Sequence, residues 1–228
     1  MEISIARMFW LGILVLMSGS ILYATTGSRI QADTLNLTPQ VGSHNAQQKK
    51  ELVNYGARAL IQWKKLNLND GRFSYHRVAT IQAAPWRFVE FGWWKNSLGL
   101  CSGTNTCAYI VYNAGGLDYS IAIPMTSADH TYAFQYNPND GEYYFYLDDA
   151  YVWHQDANFL SGTRVAAGGE VGLGVEQMKD VHISNLLYIK NNAGVFSYQD
   201  LNGYVDYQQD APYSNTDGGP NDFFDHGP

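Results

Sequence analysis

The chain has 228 residues and a formal net charge of −7 with no basic stripe, which excludes a nucleic-acid binder, since such proteins neutralise phosphates with Lys and Arg. Hydrophobic residues make up 46 % and charged residues 15 %, and the 17 Tyr, 10 Phe, 6 Trp and 22 Gly favour strands joined by many turns. The acidic balance argues against docking on anionic lipid beyond the N-terminus. Six His and two Cys show no ligand spacing, so neither a metal nor a cofactor is expected.

In chain order, Arg7 precedes an apolar run from Met8 to Leu16, followed by the small residues Ser18, Gly19 and Ser20. This is the pattern of a secretory signal peptide over residues 1–24. The stretch from Met8 to Ala24 would also serve as an uncleaved anchor in a thin bilayer. Either reading places the rest of the chain outside the cytoplasm, secreted or held by its N-terminal segment. Residues 25–53 are polar and read as a linker, with a short helix expected around Gln47 to Leu52. Within it, Asn36-Leu37-Thr38 is a glycosylation sequon.

From residue 54 to residue 228 the sequence reads as one domain. Strands are expected at Arg58 to Trp63, Phe73 to Ala83, Arg87 to Trp94, Ala108 to Asn113, Leu117 to Ile123 and His130 to Tyr136. Asn137-Pro138-Asn139-Asp140-Gly141 then predicts a hairpin turn, because Asp-Gly admits positive φ at little cost. Glu142 to Leu147 pairs back across it, and Val165 to Val175 and His182 to Ile189 follow. The polar, Tyr-rich tail from Gln199 is expected to lack regular structure. Short strands at even spacing, with almost no helical periodicity, predict an antiparallel β-sandwich of jelly-roll type. Cys101 and Cys107 enclose Ser-Gly-Thr-Asn-Thr. In an exported chain they are expected to close this loop as a disulfide, the alternative being two free thiols.

Two carboxylates fall outside the turns. Glu90 lies within Phe88-Val89-Glu90-Phe91-Gly92-Trp93-Trp94, and Glu170 within Gly168-Gly169-Glu170-Val171-Gly172. Strand side chains alternate between faces, so Glu90 shares a face with Phe88 and Gly92, and Glu170 with Gly168 and Gly172. Each acidic group then has at least one neighbour without a side chain, which suggests a trough with Gly168 and Gly172 on its floor. A solvent-facing residue or an ion pair is the ordinary alternative for either glutamate.

The order of these segments resembles the neprosin family of glutamic endopeptidases. The resemblance rests on Tyr55-Gly56-Ala57-Arg58-Ala59, Phe73-Ser74, Val89-Glu90-Phe91-Gly92-Trp93, Gly168-Gly169-Glu170-Val171, Ile183-Ser184-Asn185-Leu186 and the C-terminal Asp210-Ala211-Pro212-Tyr213 and Phe223 to Pro228. It implies a jelly-roll-like sandwich in which Glu90 and Glu170 are the catalytic pair.

The chemistry implied is hydrolysis of a peptide or protein substrate without metal or covalent intermediate. One ionised glutamate takes a proton from water, and the other, protonated, donates to the peptide oxygen or the departing nitrogen. Two acidic groups sharing a site achieve this because like charges raise one pKa, and an acidic optimum follows. Trp93, Trp94, Tyr112 and Tyr146 are candidate walls for the substrate. The competing function is a non-catalytic extracellular module binding carbohydrate or peptide. A third reading is a glycoside hydrolase, which also uses two carboxylates.

Overall fold

Side chains that alternate between a buried and a less buried face drive this chain into strands, and the computed structural model describes residues 44–68, 73–96, 106–114, 116–172 and 178–227. In chain order the strands are β1 (His44–Asn54), β2 (Gly56–Ile61), β3 (Phe73–Gln82), β4 (Arg87–Asn96), β5 (Thr106–Ala114), β6 (Leu117–Ile123), β7 (His130–Asn137) and β8 (Glu142–Leu147). They continue as β9 (Ala150–Gln155), β10 (Gly162–Val171), β11 (Val181–Asn192), β12 (Val195–Asp200), β13 (Val205–Gln209), β14 (Ser214–Gly219) and β15 (Asp222–His226). No helix occurs among the described residues.

The strands form two antiparallel sheets. One runs β13-β1-β10-β3-β4-β5-β6, the other β14-β15-β11-β2-β7-β8-β9, with β12 paired to β11. Between them lies one core. Val78, Val89, Phe91, Trp93, Ile110 and Val165 from the first sheet meet Ile61, Tyr132, Phe134, Phe145, Val181 and Ile183 from the second. Each fully buried side chain of this size contributes about 1.5–3 kcal/mol, so this layer carries most of the fold's stability. The architecture is the predicted all-β sandwich.

Strands with clean alternation fall close to expectation, and β6 and β8 match to the residue. The hairpin turn is present: the Gly141 amide donates to the Asn137 carbonyl at 2.9 Å, with Gly141 at φ 83°. Three expectations need correction. The linker gives way by residue 44 to β1, and the helix expected at Gln47 to Leu52 is part of that strand, paired with β10 and β13. Asn45, Gln47 and Gln48 are buried there, so no apolar period announced the strand. The tail is regular too, because β13 extends the first sheet and β14 and β15 extend the second. Residues 1–43, which include the segment expected to act as a signal peptide or anchor, lie outside the described residues, as does Cys101. Cys107 is buried on β5 opposite Trp94.

Candidate active site

Strand β3 lies between β10 and β4, and this order determines what can meet. Along β3 the register gives three successive rows on the face turned away from the second sheet. Tyr75 stands between Glu170 and Trp94, Arg77 between Gly168 and Gly92, and Ala79 between Ala166 and Glu90. The two glutamates are therefore diagonal neighbours of Arg77, one on each flanking strand, at a separation long side chains can bridge. Because both cross-strand partners of Arg77 are glycines, no side chain competes with its guanidinium for the space between the carboxylates.

The side chains use that geometry. Arg77 Nε is 2.5 Å from Glu90 Oε2, and Arg77 Nη2 is 3.9 Å from Glu170 Oε2. The Tyr75 hydroxyl donates to the same Glu170 oxygen, and Arg77 lies 4.8 Å over the Tyr75 ring. The Glu90 and Glu170 side chains are 10 % and 12 % exposed, so the cluster is largely shielded yet not sealed. Tyr109, opposite Gly92 on β5, closes one side with its ring against Tyr75 and Trp94. Among the described residues, Arg77 Nη1 and the Tyr109 hydroxyl have no hydrogen-bond partner.

Burial, with a smaller push from Glu170, raises Glu90 to about 7 against the pull of Arg77. Tyr75 and Tyr109 are raised well above the usual phenol range, chiefly by burial, so both remain protonated donors. Charge counting gives the same picture. With both carboxylates ionised the three groups carry a net −1 in a poorly solvated setting, and one retained proton makes them neutral.

Of the residues singled out in the sequence, Glu90, Glu170 and Trp94 come together. The other walls do not belong here. Trp93 is fully buried in the inter-sheet core, where its Nε1 donates to the Gln62 carbonyl at 3.1 Å. Tyr112 is also in that core and stacks on Tyr119. Tyr146 lies on β8 of the other sheet, packed edge-on to exposed Tyr151. The glycines are not the floor of an open trough either. A Cβ at Gly168, which has φ 140°, would strike the Ala46 carbonyl oxygen, and one at Gly172 would strike the Phe73 ring.

Arg77, Tyr75 and Tyr109 went unnoticed in the sequence, although Arg77 carried a usable signal. It is a lone charge in a strand whose same-face neighbours are Phe73, Tyr75, Ala79 and Ile81, the same reasoning that singled out Glu90.

Fold and cluster together define a class, an antiparallel β-sandwich with a paired-carboxylate site on one sheet. No family model and no curated relative matches the chain. Among solved structures it is similar to scytalido-glutamic peptidase in complex with a peptide-based transition-state analogue. The TM-score is 0.53 at 9 % identity, over 82 % of this chain and 98 % of that one. SCP-B, a member of the eqolisin family of peptidases in complex with the tripeptide Ala-Ile-His, gives a TM-score of 0.49 at 9 % identity with the same coverage, 82 % and 98 %. Bacillus licheniformis β-glucanase gives 0.40 at 16 % identity, over 57 % of this chain and 59 % of that one. The likeness to the first of these establishes a shared fold with a glutamic peptidase.

Proposed function

We propose that this protein is a glutamic-peptidase-type hydrolase of the neprosin kind, cleaving peptide bonds in exported or extracellular substrates under acidic conditions. The observation that carries the reading is the pairing of Glu90 and Glu170 about Arg77, with Glu90 held protonated up to about 7. A general acid must keep its proton where a general base has lost one, and two carboxylates in different surroundings achieve that.

Glu90 is then the acid and Glu170 the base. Glu170 takes a proton from a water molecule as its oxygen bonds to the peptide carbonyl carbon, giving a tetrahedral intermediate. Glu90 donates its proton to the departing nitrogen as the C–N bond breaks, leaving a free carboxyl and a free amine. The proton gained by Glu170 returns to Glu90 through solvent. Arg77 limits the net charge of the pair, since its guanidinium offsets one of the two carboxylates.

Digestion of a denatured protein by the purified chain, beside Glu90→Gln and Glu170→Gln, tests the proposal. The expected result is cleavage at about pH 4–6 that fades above about pH 7, absent in both folded variants. Cleavage that persists in either variant, or none by the unaltered chain, overturns it.

A further inference from the structure

On the core side of the same strands lies a second polar pair. His76 and Asp225 are both 0 % exposed, and His76 Nε2 is 3.4 Å from Asp225 Oδ2, longer than an ordinary hydrogen bond. Neither imidazole nitrogen has a hydrogen-bond partner among the described residues. A sandwich core of this size gains nothing from such a pair that apolar side chains would not supply more cheaply, so its position is the informative feature.

Its position is specific. His76 falls between Tyr75 and Arg77 on β3, and its cross-strand partners are Gly169, immediately before Glu170, and Trp93. Asp225 comes from β15 in the opposite sheet. It accepts from Asn215 Nδ2 at Oδ1 and from the backbone amide of Gly169. One carboxyl thus reaches across the sandwich to touch two of the three strands that present the site, β10 and β3, each one residue from a site side chain. Gly169 is shaped for the arrangement, since a Cβ there would lie 2.7 Å from His76 Nε2. On its other side the imidazole packs against Trp93, with ring centroids 4.8 Å apart.

We infer that Asp225 and His76 are positioning residues, a buried clamp that fixes β10 and β3 from behind so that Glu170 and Arg77 keep their relative placement on the far face. The inference rests on the peptidase reading for its catalytic consequence and on contacts alone for its structural one. Burial drives His76 down to about 3 and Asp225 well above the carboxylate range, so the clamp joins a neutral imidazole to a protonated carboxyl. An asparagine at 225 reproduces that neutral form, with an oxygen for the Gly169 amide and a donor for His76.

The test compares Asp225→Ala, Asp225→Asn and His76→Phe by kcat, KM, melting temperature and carboxyl 13C titration of Glu90. Positioning predicts that Asp225→Ala lowers kcat by about 100-fold with KM within about 2-fold, and moves the Glu90 midpoint away from its wild-type value. Asp225→Asn restores kcat to within about 5-fold. If Asp225→Ala does not fold, His76→Phe, which keeps a ring against Trp93, is expected to show the same split. A lower melting temperature with wild-type kcat and an unmoved Glu90 midpoint overturns the inference. Should the unaltered chain cleave nothing, the peptidase reading falls and the titration decides alone. A midpoint displaced in the folded variant then sustains the clamp, and an unmoved one overturns it.

Discussion

Arg77 Nε lies 2.5 Å from Glu90 Oε2, and this pair organises the outer face of the first sheet. Glu170 sits on the other flank of the same guanidinium, so one cation is shared between two acids that cannot both ionise cheaply. Substituting Arg77 by Met leaves two buried carboxylates without their cation. Breaking a buried pair from one side costs about 3–5 kcal/mol. That cost is expected at about pH 8, where Glu90 has lost its proton, and shrinks towards about pH 4, where it keeps it. Urea midpoints at the two pH values check this, and equal losses at both would show that Arg77 acts only by packing.

The second prediction concerns catalysis. If Glu90 supplies the proton, kcat/KM falls as pH rises through about 7, the value to which burial raises that group. Glu90→Gln should remove at least about 100-fold of the rate, in the range typical of a positioned acid. A pH–rate profile over peptide cleavage reads both effects, and an alkaline limb well away from neutrality would assign the acid role elsewhere.

Glycine chemistry gives the third. A Cβ at Gly92 would strike the backbone carbonyl of His76 on the adjacent strand, and backbone cannot yield as a side-chain tip can. Gly92→Ala is therefore expected to cost more than about 3 kcal/mol, like other overpacking within a sheet. Gly116, at φ 85° with nothing within 4 Å of its Cβ position, should cost only about 1–2 kcal/mol on the same change. Denaturant midpoints of the two variants separate crowding from conformational strain.

The same glycines show what the sequence could and could not disclose. Alternation placed Glu90, Gly92 and Trp94 on one face, and applied strictly it already turned Trp93 inward. It said nothing of which strands are neighbours. The site exists because β10 joins β3 across about ninety intervening residues, and pairing at such range leaves no local trace. Thus the two glutamates, and Arg77 by the same test, were legible as separate anomalies, and their convergence on one site was not. β1 was hidden for another reason. Its buried Asn45, Gln47 and Gln48 are covered by β10 and β13 without any hydrophobic period to reveal the strand. Even Gly168 and Gly172 invited a trough, where in the folded chain they admit a neighbouring backbone and the Phe73 ring.

The last prediction follows from proton counting. Glu90 is raised from 4.5 to about 7 by folding, so between those values the native chain holds a proton that the unfolded chain has released. Stability falls with pH wherever the native state binds more protons, so the Glu90 contribution is full below 4.5 and lost as pH climbs through about 7. His76 and Asp225 do not mask this. Folded, they keep one proton between them, and unfolded between 3.8 and 6.5 they also hold one, on the histidine, so their slope there is close to zero. Melting temperatures measured from about pH 4.5 to about pH 7 should therefore decline for the wild type and stay flatter for Glu90→Gln, whose amide cannot titrate. Parallel curves for the two proteins would mean that Glu90 ionises in the fold as readily as in the open chain, and the acid role assigned to it would go with that result.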